Sequence, residues 1–409
     1  MQLLLLSLRL VGVVLQLGRV KVIIKMRRLI SATINRLWNR FRGCNKLAVV
    51  LLLLVLLVEI CYLHYGMSDA NSSDSTKVKI RVDTQPVAVE VKPKTIHLTL
   101  IVCGDRSNEM LTMTKSVIIT TKTHLHFHIF TEDDLRKGLS DSISLWPDTK
   151  SGRVQFDFYP IMYPSWVDGD EWKRLYRRCT TIRLFIPNLL PKIDAAIYVD
   201  TDTIFLHDVE ELWRYFSMFN STQLAAHVYE HFDTKKSWYS KSARFKFVEP
   251  YGINAGVMLM NMTRIRNVND WDKKLVDVRT QNRNNIKWAD QDILNIFFAH
   301  HPELLFILPC RWNYRTEFCR YGEDWCPDTA KHGVFLLHGS RGVFHMPDFK
   351  KWSLPEFKTI YHSFESYNMT NRGALNSIVQ SIRSKWKSGK TSGCQKELDT
   401  FLRSFLKYD

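Results

Sequence analysis

Ile197-Tyr198-Val199-Asp200-Thr201-Asp202-Thr203 is the stretch whose reading decides the fold. The apolar run 195–199 ends abruptly in two acids separated by one residue. A short apolar run bounded this sharply reads as a buried strand. In open α/β sheets, ligands bind outside the carboxyl edge of such strands. Asp200 and Asp202 placed there offer two hard oxygen donors, which suit a divalent cation such as Mn2+ or Mg2+. A cation at that edge neutralises a diphosphate and stabilises it as a leaving group. Asp-Thr-Asp alone is equally the sequence of a plain polar turn, so the rest of the chain has to decide between the two.

Upstream, 96–103 reads as a strand stopped by Gly104-Asp105, 108–120 as a helix, and 125–130 as a strand running into Thr131-Glu132-Asp133. Strand, helix and strand joined by short turns open a parallel sheet. A further strand is expected at 154–159. The pattern then predicts a helix over 170–190 carrying Lys173, Arg174, Arg177, Arg178 and Arg183. Most of this charge reads as a solvated face. Arg183 differs, because Leu184-Phe185-Ile186 follows it and places it at the edge of a core, beside the Asp200 strand. There it is a candidate anion ligand.

Downstream come a helix at 209–216, a strand at 224–229 and a polar, aromatic loop at 231–251 that reads as a lid or substrate loop. Gly252-Ile253-Asn254-Ala255-Gly256 reads as a glycine-bounded turn leading into a strand at 257–260, close enough for backbone to touch a ligand, with Asn254 offering an amide. Trp288-Ala289-Asp290-Gln291-Asp292 opens a helix at 293–298, where Asp290 is either an N-cap or a group reaching a sugar hydroxyl. A strand at 335–337 ends in His338-Gly339-Ser340-Arg341-Gly342. A neutral imidazole at this third strand end is a ligand for the same cation. No GxGxxG follows the first strand, which argues against a dinucleotide cofactor.

The 409 residues suffice for a sizeable core. The net charge of +16 is misleading: residues 1–46 hold ten Lys or Arg and no acid, leaving +6 for 47–409. Nucleic-acid binding is therefore not expected, since its basic footprint would have to lie on the folded body. Residues 47–58 are uninterruptedly apolar and, with the stretch to Leu63, span roughly 25 Å as a helix. Basic residues precede this run, so the positive-inside rule predicts a signal anchor at 47–66 with the tail 1–46 in the cytosol. A flexible stem at 67–94 follows, then a lumenal domain at 95–370 and a C-terminal helical extension at 371–409. This is the plan of a single-pass type II membrane protein of the Golgi or endoplasmic reticulum. Four sequons, at Asn71, Asn220, Asn261 and Asn368, all follow the anchor. So do Cys103, Cys179, Cys310, Cys319, Cys326 and Cys394, an even count compatible with disulfides. Cys319–Cys326 closes the shortest plausible loop, although spacing does not fix connectivity.

The order of these motifs resembles glycosyltransferase family 8 over residues 96–345: Cys103-Gly104-Asp105, Arg183, Tyr-Val-Asp-Thr-Asp, Asn254-Ala-Gly-Val, Asp290-Gln-Asp-Ile-Leu-Asn and a C-terminal His-Gly. Met258-Leu259-Met260-Asn261-Met262-Thr263, Pro309-Cys310-Arg311-Trp312-Asn313-Tyr314-Arg315 and His338-Gly339-Ser340-Arg341-Gly342 look closest to its glucoside xylosyltransferase branch. The resemblance implies a GT-A fold, a Rossmann-like α/β/α sandwich. It also implies a retaining transfer of xylose from UDP-xylose, in α-1,3 linkage, to O-linked glucose on EGF-like repeats such as those of Notch. It would have Asp200, Asp202 and His338 hold Mn2+ (or Mg2+). Cys103, Gly104 and Asp105 would face the nucleoside, and Thr201 and Gly339 would lie against the donor. Arg183 would contact the donor or hold the Asp-x-Asp loop. Asn254, Ala255, Gly256, Asp290 and Gln291 would surround the sugars. The family usually follows His-Gly with Lys-Pro-Trp; this chain does not, so the diphosphate contact falls to Arg341. The residues leave two other readings open, a UDP-hexose transferase of the same fold and a non-catalytic sugar-binding protein.

Overall fold

A computed structural model describes residues 95–175, 179–322, 325–347, 350, 353–370, 374–388 and 398. The expected tail, anchor and stem lie outside the described residues, as do Asn71 and most of the stretch after 388.

Seven strands form the central sheet: β1 (Thr95–Val102), β2 (His124–Thr131), β3 (Val154–Pro160), β4 (Ala195–Val199), β6 (Ala225–Tyr229), β7 (Ile253–Asn261) and β8 (Leu305–Ile307). Their order is β3-β2-β1-β4-β7-β6-β8. A three-stranded sheet holds β5 (Thr203–Phe205), β10 (Leu336–His338) and β9 (Tyr314–Arg315), in the order β5-β10-β9. The opening is parallel as expected, β1 pairing with β2 and β4 on its two sides. The sheet as a whole is mixed, because β7 runs antiparallel to both β4 and β6.

Alternation along each strand sorts side chains onto two apolar layers. In β1 and β4, Ile96, Leu98, Leu100, Ile197 and Val199 face one cluster with Met110, Met113 and Val117 of α1 (Ser107–Thr120). Tyr198, Met258 and Met260 face another, with Leu275 of α3 (Trp271–Gln281) and Ile293, Leu294 and Phe297 of α4 (Ala289–His300). A short helix, α2 (Asp133–Ser144), joins β2 to the segment before β3. Near the C-terminus, α5 (Pro355–Glu365) and α6 (Ala374–Ser388) add Phe357, Ile360, Ile378 and Ile382 to the first cluster. Each of these fully buried aliphatics contributes about 1.5–3 kcal/mol.

Three local expectations are corrected. The single helix over 170–190 is broken into a helix Gly169–Lys173, a 3-10 turn Thr180–Leu184 and a helix Ile186–Leu189. Cys179, in left-handed backbone at φ 68°, is bonded to Cys103 and interrupts it. The glycine-bounded turn at 252–256 is instead a bulge inside β7: His227 pairs with Met258, but the next residue, Val228, pairs with Asn254. The short disulfide loop is not formed either. Cys310 bonds Cys326, with Cα atoms 5.6 Å apart, and Cys319 is disulfide-bonded as well. A 3-10 segment, Thr316–Gly322, carries Cys319, while the returning chain sets Cys326 against Cys310, within bridging reach.

Of the sequons, Asn220 and Asn368 are exposed, whereas the amide oxygen of Asn261 accepts from the Arg264 backbone and caps the helix Met262–Arg266.

His227, fully buried on β6, has only the Asn254 carbonyl at 3.1 Å as partner, for Nδ1. Burial holds its imidazole down at about 4. The unfolded chain takes up that proton below about pH 6.5 and the native state only near 4, so folding loses stability as pH falls through this window. Urea unfolding between pH 7 and 4 is expected to show the wild type losing up to about 3 kcal/mol more than His227→Gln.

Candidate active site

Asp200 follows the end of β4, and its backbone N–H donates to the Gly256 carbonyl at 2.9 Å. Because β7 is antiparallel, its beginning rather than its end lies at this edge, and the bulge brings Asn254, Ala255 and Gly256 alongside Asp200. Antiparallel pairing of β10 with β5 sets His338 opposite Thr203, one residue past Asp202. Three distant parts of the chain therefore meet. His338 Nε2 lies 3.3 Å from an Asp202 oxygen and 3.8 Å from Asp200 Oδ2, and one donor atom from each of the three residues falls within 4.8 Å of the others.

Each of these side chains is oriented from behind. His338 Nδ1 is 2.8 Å from Asn313 Oδ1, an acceptor, so Nδ1 carries the proton and Nε2 presents its lone pair. The Asn313 amide in turn donates to Asn254 Oδ1 at 2.8 Å. Asp200 Oδ1 accepts from Arg183 and from the Tyr198 hydroxyl, both at 2.8 Å, which leaves Oδ2 toward His338. Burial raises the Tyr198 phenol well above its ordinary value, so it stays a donor. Gly256 is required at this point: a Cβ there would lie 2.2 Å from the His338 ring.

Arg183, 4% exposed, spends its donors on the protein, giving bonds to the Ala255 carbonyl at 2.7 Å and the Thr180 carbonyl at 3.0 Å besides Asp200. Its Nε also pairs with Asp290 at 3.1 Å. Burial lifts the Asp290 carboxyl to about 6, with Arg183 opposing the rise. Asp290 therefore sits in the first turn of α4 as the second carboxylate on Arg183, not as an N-cap. Gln291, beside it, accepts from the Asn254 amide and the Ala255 N–H and donates to Glu230.

These groups line one cavity of about 760 Å³. Its walls include every residue expected from the sequence to hold the metal, the donor or the sugars, except Gly339. Gly339 instead donates to the Asp202 carbonyl at 2.7 Å, and a Cβ there would lie 2.5 Å from the Phe344 ring. Cys103 lines the cavity as half of a disulfide. Arg341, also on the wall, pairs with Glu317 at 3.0 Å and lies 5.0 Å over the Trp238 ring.

Sequence reasoning missed the acid at the centre of this wall. Glu230, 3% exposed, accepts from Asn254, from Gln291 and from the Trp238 indole at 2.8, 3.3 and 3.1 Å. Arg315 lies 3.6 Å away. Burial raises the Glu230 carboxyl; in Glu317 burial pushes the same way, but Arg315 and Arg341 outweigh it and hold that carboxyl low. The signal available was the polar residue directly after the apolar strand 224–229, the same pattern that marked Asp200. The loop 231–251 reaches the cavity through Trp238, whose ring meets Trp288 edge-on with centroids 4.7 Å apart.

Two carboxylates and one imidazole, with the imidazole tautomer set from behind, fit a hard-to-borderline divalent cation. The lining carries six acids, Asp105, Asp200, Asp202, Glu230, Asp290 and Glu317, against three arginines, Arg106, Arg183 and Arg341, so an anionic ligand would be accommodated there together with a cation.

The family model described as "Glycosyl transferase family 8" matches residues 97–338. The chain is 38% identical over 330 residues to glucoside xylosyltransferase 1 of Gallus gallus, covering 78% of this chain and 74% of the relative. It is 36% identical over 357 residues to glucoside xylosyltransferase 2 of Xenopus laevis, covering 84% and 82%. A solved structure, mouse xyloside xylosyltransferase 1 in its apo form, is 15% identical at a TM-score of 0.47, covering 62% of this chain and all of that one, too slight a likeness to build on.

The orientation of His338 has a direct test. Asn313→Ala is expected to weaken Mn2+ binding about 10–100-fold, read by electron paramagnetic resonance, with the far-UV circular dichroism unchanged. Gly256→Ala, which displaces the ring itself, is expected to weaken it at least as much.

Proposed function

The chain belongs to glycosyl transferase family 8, and from that premise we propose that it is a retaining xylosyltransferase, moving xylose from UDP-xylose in α-1,3 linkage to O-linked glucose. The likeness to glucoside xylosyltransferases over most of the chain supports the sugars. The observation that carries the chemistry is the convergence of Asp200, Asp202 and His338 on one wall of the cavity. We further propose EGF-like repeats bearing O-glucose, including those of Notch, as acceptors. The proposed setting is the lumen of the Golgi or endoplasmic reticulum, behind a type II anchor. The Cys103–Cys179 and Cys310–Cys326 bonds support an oxidising compartment.

In this reading Asp200 Oδ2, Asp202 and His338 Nε2 hold Mn2+ (or Mg2+). When bound, the cation neutralises the diphosphate and makes UDP a better leaving group. Arg183 and Tyr198 fix Asp200 so that no reorganisation is needed as charge develops. Arg341 supplies a cation on the same wall, held by Glu317 and Trp238. Gly104 and Asp105, just past β1, face the nucleoside; the Gly104 N–H is itself anchored on Glu132 at 2.9 Å.

Retention through a covalent intermediate needs an available carboxylate at the reacting carbon. Asp290 is committed to Arg183, and Glu230 to Asn254, Gln291 and Trp238. Both are placed to position sugar hydroxyls and their amide neighbours rather than to attack. The leaving phosphate then takes the proton of the acceptor hydroxyl on the same face of the sugar.

Mass spectrometry of a glucosylated EGF repeat incubated with the protein, UDP-xylose and Mn2+ is expected to show a gain of one pentose. A larger UDP release from UDP-glucose or UDP-galactose than from UDP-xylose contradicts the donor assignment. Asp200→Asn with Asp202→Asn is expected to cut turnover about 100-fold or more; unchanged turnover removes the metal from the mechanism.

A further inference from the structure

Three imidazoles share one face of the sheet near the beginnings of β1 and β2, while the cavity residues follow the strand ends. The register pairs His97 with His126 and Thr99 with His128. Residues two apart lie on one face, so His126 and His128 of β2 stand beside His97. Ring centroids are 4.2 Å apart for His126 and His128, 5.2 Å for His97 and His128, and 5.4 Å for His97 and His126. One nitrogen from each ring lies within 4.8 Å of the other two.

β3 orients the rings from behind. Asp157 Oδ2 accepts from His126 Nε2 at 2.9 Å, which makes Nδ1 the lone-pair nitrogen of that ring. The Tyr159 hydroxyl donates to Asp157 at 3.3 Å and so accepts from His128 Nδ1 at 3.2 Å. His128 Nε2 then presents a lone pair, 2.9 Å from His97 Nδ1. Two of the three imidazoles therefore already hold a ligand tautomer, and His97 reaches one by passing its proton to its other ring nitrogen. Thr99, on the same face, has its hydroxyl fully buried without a partner, an orphan beside His128.

We propose that His97, His126 and His128 form a second metal site, for a zinc ion, with Asp157 and Tyr159 orienting its ligands. Imidazoles suit zinc, whereas the oxygen-rich Asp200–Asp202–His338 set suits manganese or magnesium, so the two sites sort two metals by donor chemistry. Zinc–nitrogen bonds of about 2.0–2.1 Å put tetrahedral nitrogens roughly 3.3 Å apart. The His97–His128 contact opens slightly to meet that spacing. Three protein ligands leave a fourth position for water. With its side chain 18% exposed, His126 gives the ion a way in. The ion would clamp β1 to β2 far along the strands from the sugar site.

The test uses the full-length chain in detergent, stripped with chelator and titrated with Co2+. One equivalent is expected to give the intense visible bands of tetrahedral cobalt, displaced by one equivalent of Zn2+. His126→Gln and His97→Asn, at partly exposed positions, are expected to weaken Zn2+ binding at least 100-fold while circular dichroism and sugar transfer persist. Asp157→Asn is expected to weaken it about 10–100-fold. The Asp200→Asn, Asp202→Asn double variant is expected to keep the bands. The absence of the bands at one equivalent overturns the site. So does their survival in both histidine variants, or their loss in the Asp200, Asp202 variant.

Discussion

A buried guanidinium surrounded by acids is the constraint on which the cavity depends. Arg183 lies between Asp200 and Asp290, stacks 4.4 Å over the Tyr198 ring and donates to the Ala255 carbonyl. Burial alone would drive it toward neutrality, but the two carboxylates outweigh burial and raise its pKa. Removing one partner from such a buried pair typically costs 3–5 kcal/mol, because the remaining charge is left uncompensated. Arg183 thus ties the end of β4, the bulge of β7 and the start of α4 into one unit, and Asp200 can present only one of its oxygens.

The same logic continues outward. Glu230 and Glu317 alternate with Arg315 and Arg341. Asn254, Gln291 and Asn313 link these charges to His338 and to one another. Almost every polar group on the wall answers to another, which is what makes a buried network specify one geometry rather than several. Asn254 illustrates the point. Its amide, read from the sequence as an offer to a ligand, is committed to Glu230 and Gln291 on one side and to Asn313 and Gly256 on the other.

Strand ends were the legible part of the sequence. Asp200, Gly104 and His338 each follow a run too apolar to be anything but buried, and a run of that kind announces where the polar edge begins. What was not legible depended on direction and on distant contacts. Nothing in Gly252–Gly256 distinguishes a turn from a bulge, because the difference lies in which strand pairs with it. The helix expected over 170–190 had the right charges and spacing, but the bond from Cys179 to Cys103 overrides local preference. Glu230 was hidden because a lone acid after a strand has no second acid to mark it, and its role appears only when Asn254, Gln291 and Trp238 close around it.

That bond from Cys103 to Cys179 joins the residue just past the first strand to the turn carrying Arg183, so the first strand end and the arginine that braces Asp200 are linked covalently. With both thiols reduced this tether would be absent, and the turn carrying Arg183 would be held only by its packing and by the bonds of Arg183 to Asp200, Asp290 and the Ala255 carbonyl. The covalent link between these two segments, 76 residues apart in sequence, therefore makes the geometry around Asp200 sensitive to the redox state of the chain.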